Sequence, residues 1–229
     1  MSLHHNPRIV TSGLLYAYDP ADTTSYPGSG TTLYDLANNA NGTFAGSAAY
    51  SSVGRGSLNF NGPSTYDYVA ITDTVTHKTG QSFSYEAWVY FDALSGYDKT
   101  IVGKPGCNIG LLQASSNMGM CVFGPNGVCV AGNTQYYASA TASTGVWQHW
   151  VGTYQVGAGI VTYRNGVSVN SVAVTGNIGN WNNTLYIGGS INTNYTMDGK
   201  VTAVKVYNRA LSAAEALQNF NAQRLRFGI

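Results

Sequence analysis

The chain has 229 residues, of which 44% are hydrophobic and only 9% are charged, and its formal net charge is +1. The length and apolar content are enough for one sizeable core. The balanced charge without a basic run excludes an electrostatic nucleic-acid surface, and no stretch approaches the roughly 20 apolar residues of a membrane span. We expect one domain over residues 1–229, with residues 1–8 as a docking arm.

Short β patterns, separated by clusters of Gly, Asn, Pro and Ser, recur along the chain and are typical of an antiparallel sandwich. The first predicted strand is residues 14–18, and Pro20 ends it because proline cannot donate to a β-ladder. Residues 57–62 and 67–71 are the next two predicted strands. The clearest central strand covers residues 83–91, where alternation places Glu86 and Trp88 on one face.

Later strands are predicted near residues 100–102, 110–113, 120–123, 128–130, 147–154 and 185–189. A hairpin is predicted over residues 160–169. Its centre is Asn165-Gly166, which suits a two-residue type I′ turn because both positions need positive φ.

The end of the chain predicts a buried strand over residues 201–206 and then a helix over residues 213–224. Ser212 and Glu215 are spaced as a capping box at the start of this helix. Leu217 and Phe220 are spaced to pack one helix face onto a sheet.

The three cysteines, Cys107, Cys121 and Cys129, are odd in number and irregularly spaced, which argues against a secreted disulfide framework. Cys121 and Cys129 flank a predicted turn at residues 124–127, and the registers built on that turn place them diagonally. We therefore expect three buried thiols and a chain that folds in a reducing cytoplasm.

The closing segment consists of a buried strand, then Tyr207-Asn208-Arg209-Ala210-Leu211-Ser212, then a helical turn. Nine further segments occur in a matching order: residues 13–19, 33–36, 41–43, 57–62, 67–69, 83–89, 147–151, 163–166 and 187–189. Together they resemble the laminin-G-like branch of the concanavalin A-like lectin and glucanase superfamily. The resemblance implies an all-β fold, an antiparallel jelly-roll β-sandwich with a short C-terminal helix. One departure is Thr202-Ala203, where many family members have Asp-Glu.

Two segments point to a narrower branch. Asp19-Pro20-Ala21 together with residues 25–31, and the ending over residues 218–229, resemble laminin-G-like proteins of tailed bacteriophages, especially phages of cyanobacteria. This resemblance implies a virion structural protein.

A glycosidase needs two carboxylates close together, which family enzymes place on one strand face as Glu-x-Asp-x-x-Glu. The chain has two glutamates, Glu86 and Glu215, and the second is assigned to the helix cap. No acidic pair lies at i, i+2 or i, i+4 within a predicted strand. We therefore expect no catalytic residue and no enzymatic activity. Glu86 is expected to accept hydrogen bonds from neighbouring strands, and His149 to be a packed or an edge residue of its strand.

We expect no required cofactor. The resemblance makes Ca²⁺ a candidate, because related lectins hold it in loops through carboxylate and carbonyl oxygens. The candidate ligands are Asp19, Asp35 and Asp67, which lie at strand ends or in loops. The alternative, which we favour, is that these carboxylates accept hydrogen bonds from backbone N–H groups in turns.

Sugar binding uses exposed aromatic rings with amide groups nearby, because Tyr and Trp combine an apolar body with a polar group. The candidate ligand-binding residues are Tyr97, Tyr136, Tyr137, Trp181, Asn182 and Tyr195. The same residues would suit a protein–protein interface, and ordinary half-buried loop packing is a third explanation.

These observations predict a non-enzymatic protein on the surface of a phage virion, assembled in the host cytoplasm as a capsid decoration or knob protein. Its expected partners are capsid proteins, further copies of itself and host-surface glycans, and neither nucleic acid nor a membrane. The alternatives left open are a bacterial carbohydrate-binding lectin domain and a phage tail adhesin. Glycoside hydrolysis is disfavoured.

Overall fold

The computed structural model describes residues 7–72, 80–96, 98–104, 109–123, 135–175, 178 and 184–229. In chain order, these residues form sixteen strands and one α-helix: β1 (Leu14–Tyr18), β2 (Thr32–Leu33), β3 (Gly42–Ala45), β4 (Ala49–Ser51), β5 (Ser57–Asn61), β6 (Tyr68–Ile71), β7 (Phe83–Ala93), β8 (Lys99–Lys104), β9 (Ile109–Ala114), β10 (Asn117–Phe123), β11 (Gln135–Thr141), β12 (Trp147–Gln155), β13 (Gly159–Arg164), β14 (Val167–Val172), β15 (Leu185–Ile187), β16 (Asp198–Tyr207) and α1 (Ala213–Gln223). No helix of the described residues is long and apolar enough to cross a membrane.

The strands form two antiparallel sheets. The first sheet has the order β14-β13-β12-β7-β16-β5-β4, and β1 pairs with β16 beside β5. The second sheet has the order β11-β10-β9-β8-β15-β6-β3-β2. The predicted antiparallel jelly-roll sandwich with a short C-terminal helix is confirmed.

Most predicted strands lie where the alternation places them. The strands β2, β3 and β4 were not predicted because they are two to four residues long, too short for a period of two to be visible. The seven-residue strand β11 was also not predicted. The predicted strand 128–130, the turn 124–127, Cys107 and Cys129 lie outside the described residues. Cys121 is a buried free thiol, and burial raises its pKa to about 12.

The predicted hairpin is confirmed at its turn. Asn165 and Gly166 have φ of 51° and 78°, and Arg164 pairs with Val167 across them. Both central residues therefore adopt the left-handed conformation that a type I′ turn requires.

The two faces of β7 pack against different layers. Phe83, Tyr85, Ala87 and Val89 all lie in the main core between the sheets. The opposite face points away from the second sheet and is covered in part by α1, whose cap Ser212 and Glu215 form as predicted. The first sheet is therefore buried on both sides along the middle of β7.

The helix buries a different set of residues from the predicted one. Leu217 is 44% exposed, whereas Ala216 and Asn219 are fully buried. Phe220 does pack onto the sheet, with its ring stacked at 5.8 Å from that of Trp88. The helix turns its polar Asn219 inward because the sheet beneath it offers a charged partner.

That partner is a buried ion pair on the outer face of the first sheet. Lys205 Nζ donates to Glu86 Oε1 at 2.6 Å, and both side chains are almost inaccessible to water. From the helix, Asn219 Nδ2 donates to Glu86 Oε2 at 2.6 Å, and Gln223 Oε1 accepts from Lys205 at 3.0 Å. The expectation that Glu86 accepts hydrogen bonds from a neighbouring strand is confirmed.

His149 completes this buried cluster from β12. It is fully buried, as predicted for a packed residue, and its Nε2 lies 3.1 Å from Glu86 Oε1. Burial alone would raise the pKa of Glu86, but the charge of Lys205 and the contact with His149 lower it to about 2. Burial lowers the pKa of His149.

Replacing Lys205 with Met should lower the free energy of unfolding by about 3–5 kcal/mol, because Glu86 would stay buried without its cation. Urea denaturation followed by circular dichroism measures this loss. The double variant Lys205→Met/Glu86→Gln should lose less than the sum of the two single variants, because no unpaired charge remains. Strict additivity would contradict the ion pair.

Stability should also fall as the pH is lowered from about 6.5 to 2. Below pH 6.5, the pKa of an unfolded histidine, His149 binds a proton in the unfolded chain. In the folded chain it stays neutral, because burial lowers its pKa. Below the unfolded pKa of glutamate, near 4.5, the unfolded chain takes up another proton, whereas folded Glu86 stays ionised to about pH 2.

The check is a set of urea denaturation curves at pH 7, 5.5, 4 and 3. In Glu86→Gln, which has no carboxyl at this position, the part of the decline below pH 4.5 should shrink. An equal decline in the parent and in Glu86→Gln would show that other groups cause it.

Candidate functional site

Beyond the part covered by α1, the outer face of the first sheet carries a row of large polar and aromatic side chains. The strand registers place Trp147 opposite Tyr90, Tyr90 opposite Lys200, and Lys200 opposite Asn59. Residues that are directly opposite in an antiparallel pair share one face. Four strands, β12, β7, β16 and β5, therefore contribute neighbouring side chains to one surface.

Two aromatic rings form the centre of this surface. The rings of Tyr90 and Trp147 lie 5.6 Å apart at 58°, and both residues are half-buried. Lys200 Nζ lies 5.2 Å from the centre of the Tyr90 ring. Such a cation–ring contact is attractive and fixes the ring that it covers.

Carboxylates and an amide surround the rings. Asp92 Oδ2 accepts a hydrogen bond from Lys200 Nζ at 2.6 Å, and 43% of the Asp92 side chain is exposed. Asp198 lies opposite Asn61 on β5, and Asn61 in turn accepts from Asn59 Nδ2 at 3.1 Å. We name the set Asn59, Tyr90, Asp92, Trp147, Asp198 and Lys200 the aromatic–polar patch.

The two aspartates of the patch influence each other. Partial burial and the nearby charge of Asp92 raise the pKa of Asp198, while Lys200 opposes this rise. The patch therefore offers carboxylate acceptors and a lysine donor beside two rings. This combination can bind a hydroxyl-rich molecule with one apolar face.

A second group of tyrosines lies on the other sheet. Tyr68 and Tyr186 are half-buried and meet edge to face, with ring centres 5.3 Å apart at 79°. Tyr195 is half-buried in the nearby loop 188–197, which is joined to loop 62–67 where Thr196 Oγ1 donates to Thr65 O at 3.1 Å. Tyr195 is one of the predicted ligand-binding residues, and its role in binding stays a prediction.

Two of the other predicted ligand-binding residues, Tyr136 and Tyr137, do not form one platform. Tyr136 and Tyr137 are successive residues of β11 and point to opposite faces. Tyr136 packs against the core, and its hydroxyl lies 3.1 Å from that of Thr175. Tyr137 donates to Leu112 O at 3.0 Å. Tyr97, Trp181 and Asn182 lie outside the described residues.

The three candidate calcium ligands lie in different parts of the structure, and each carboxylate has protein donors. Asp35 accepts from four backbone N–H groups, and Asp67 accepts from Ser47 N at 2.6 Å and from Asn61 N at 3.0 Å. Asp19 binds the guanidinium of Arg226 at 2.7 Å. Among the described residues, no group of three His, Cys, Asp or Glu side chains is arranged to hold a metal ion.

The two glutamates are both engaged in the structure. Glu86 is fully buried in the ion pair with Lys205. Glu215 accepts from both terminal nitrogens of Arg209, at 2.8 and 2.7 Å, and from Ser212 N at 2.9 Å. Hydrogen bonding to Arg209 lowers the pKa of Glu215 to about 2. Neither carboxyl is placed to protonate a leaving group.

The sequence did not identify the aromatic–polar patch, although part of the signal was present. In residues 83–91 and 147–154, the period of two puts Tyr90 on one face with Trp88, and Trp147 on one face with His149. What was missing was the register between β7, β12 and β16, because nothing local in the sequence shows that Trp147 lies opposite Tyr90.

Comparison with known proteins adds a family to this geometry. The family model described as "Concanavalin A-like lectin/glucanases superfamily" matches residues 63–216, more than half of the chain. No curated protein matches the chain in sequence.

Three solved structures illustrate the similarity of fold. The binding domain of Paraclostridial Mosquitocidal Protein 1 has a TM-score of 0.71 at 15% identity, over 92% of this chain and 52% of that one. Domain 4 of AbnA, a GH43 extracellular arabinanase from Geobacillus stearothermophilus in complex with arabinotriose, has a TM-score of 0.63 at 17% identity, over 90% and 97%. Trypanosoma rangeli sialidase in complex with sialic acid has a TM-score of 0.66 at 18% identity, over 97% and 36%.

The chain thus spans about half the length of the toxin binding domain and about a third of the sialidase. At these identities the likeness shows the fold alone.

The electrostatic coupling inside the patch can be tested directly. Replacing Asp92 with Asn should lower the pKa of Asp198, because the like charge is removed and Lys200 is left with one carboxylate. Carboxyl-carbon NMR titration measures this pKa. The control is Asp22→Asn at an exposed turn, which should leave Asp198 unchanged. An unaltered Asp198 pKa in Asp92→Asn would show that the charge of Asp92 does not influence Asp198.

Proposed function

Because this chain belongs to the concanavalin A-like lectin/glucanases superfamily, we propose that it is a lectin-like domain that binds an oligosaccharide and does not cleave it. The observation that carries the proposal is the Tyr90–Trp147 ring pair beside Asp92, Asp198 and Lys200. The rings offer an apolar surface to one face of a sugar. The charged groups offer acceptors and a donor to its hydroxyls.

The comparisons support this class of function. The AbnA domain is similar over 97% of its own length and is described in complex with arabinotriose. Another similar structure, the binding domain of Botulinum Neurotoxin DC, is described in complex with SialylT. A glycan-binding lectin domain, one of the alternatives left open by the sequence, therefore fits these relatives better than a capsid protein does.

The proposal that this chain does not cleave sugar is supported by the places of its carboxyls. Glu86 and Glu215 are occupied by Lys205 and Arg209. Asp92 and Asp198 are the acidic side chains that remain beside the rings, and Lys200 binds the first of them. A retaining glycosidase needs one free carboxylate and one protonated acid on either side of the bond. We assign these aspartates to sugar hydroxyls.

The virion setting rests on the sequence resemblance to phage proteins and stays a prediction. It includes display on the capsid surface, assembly in the host cytoplasm and contact with capsid proteins through residues 1–8. Mass spectrometry of purified particles checks it, since a virion protein must be present in stoichiometric amounts after density-gradient purification. Absence from such particles would leave the domain as a stand-alone or bacterial lectin.

Trp147→Ala should weaken oligosaccharide binding at least tenfold, about 1.4 kcal/mol, because the stacking surface is lost. A glycan array that contains arabinotriose, neutral hexose oligosaccharides and sialylated glycans identifies the best probe. Isothermal titration calorimetry with that probe then gives the dissociation constants of the parent and the variants.

The matched control is Tyr186→Ala, which removes a half-buried aromatic ring from the other sheet and should keep the parental affinity. Loss of binding in Tyr186→Ala with full binding in Trp147→Ala would move the site to the second sheet. Release of reducing sugar that Asp198→Asn abolishes would overturn the assignment as a non-enzyme.

A further inference from the structure

Two distant parts of the chain contact the Trp147 ring. Gly54 has φ of +65°, and a Cβ added there would lie 2.6 Å from Trp147 Cζ2. The Phe227 ring lies 4.9 Å from the Trp147 ring at 50°. The loop before β5 and the 3₁₀ turn Arg224–Phe227 that follows α1 therefore both contact the indole.

One side chain joins these two contacts. Arg226 Nε donates to Gly54 O at 2.7 Å, and Nη2 donates to Gly56 O at 2.6 Å and to Thr202 Oγ1 at 2.9 Å. Nη1 donates to both carboxylate oxygens of Asp19, at 2.8 and 2.7 Å. These five hydrogen bonds engage every nitrogen of the guanidinium.

The partners of Arg226 are themselves fixed. Asp19 Oδ1 also accepts from Ala21 N at 3.1 Å, and Thr202 lies in the middle of β16. Next to Arg226, the Phe227 ring stacks on Trp88 with centres 3.9 Å apart at 18°. A planar fork of donors holds such an arrangement in one geometry, which a lysine cannot reproduce.

We propose that Arg226 is a positioning residue of the glycan site. It holds Gly54 and Phe227 against Trp147 and so sets the orientation in which the indole meets a sugar. This inference rests on the proposed function, and it adds the 3₁₀ turn after α1 to the binding site.

The helix itself does not depend on Arg226. Asn219 and Gln223 bind the Glu86–Lys205 pair, and the capping box holds the first turn. Arg226 lies further along the chain than the residues that make these contacts. It is part of a surface turn, where Leu225 is 63% exposed. Loss of the Arg226 guanidinium should therefore make the Trp147 ring more mobile and leave the sandwich folded.

The test compares Arg226→Lys with Arg209→Lys. Arg209 is a matched control because its guanidinium also binds a carboxylate, that of Glu215 at the start of the same helix. Three quantities are measured: the dissociation constant for the best array glycan, the melting temperature, and the NMR signal of the Trp147 indole N–H.

Arg226→Lys should weaken binding about two- to tenfold, which corresponds to the cost of ordering one freed aromatic side chain on binding. It should also broaden or shift the Trp147 indole signal. Arg209→Lys should lose similar or greater thermal stability while keeping the parental affinity and indole signal. Phe227→Leu, which leaves the guanidinium in place, should weaken binding in the same direction.

Parental affinity in Arg226→Lys, or an equal loss of affinity in Arg209→Lys, would overturn the inference. If the parent binds no glycan, the proposed function fails, and the indole signal still decides the inference. An unchanged Trp147 signal in Arg226→Lys would then show that the guanidinium does not position the ring.

Discussion

The ion pair between Glu86 and Lys205 is the constraint around which the outer face of the first sheet is organised. Two charges removed from water are tolerated only if their remaining donors and acceptors are also satisfied. Asn219 and Gln223 meet this need from the helix side. The helix is thus tied to the sheet by polar contacts as much as by apolar ones, and it cannot leave without exposing a charge pair to water.

Anchoring the helix there divides the face of the sheet into a covered part and an open part. The turn that follows the helix ends the covered part, with Phe227 stacked on Trp88 and touching Trp147. The helix therefore covers the buried charges, and the turn that directly follows it contacts the aromatic–polar patch. One short segment, residues 213–227, therefore contributes both to the stability of the fold and to the position of the Trp147 ring.

The sequence predicted the parts of this architecture that depend on local chemistry. Strand alternation, the Asn165-Gly166 turn and the Ser212–Glu215 cap each need only a few adjacent residues, and all three are confirmed. The inward turn of Asn219 and the patch depend on partners more than a hundred residues away, such as Glu86 for Asn219 and Lys200 for Tyr90. No local pattern encodes those registers, so the site could not be assembled from the sequence alone.

The acidic residues differ in whether their carboxylates are bound within the fold or lie at the surface. Asp35 and Asp67 accept hydrogen bonds from backbone N–H groups. Asp19, Glu86 and Glu215 each pair with a side-chain cation, namely Arg226, Lys205 and Arg209. Asp92 also has a cation, Lys200, but this pair is at the surface, where water screens it and a competing hydroxyl can reach it. Replacing the hydrogen bond from Lys200 with one from a ligand hydroxyl therefore needs little free energy at Asp92. Replacing the partners of Glu86 would need much more, because Glu86 is buried. The difference in burial, rather than in residue type, is what leaves the aromatic–polar patch available for binding.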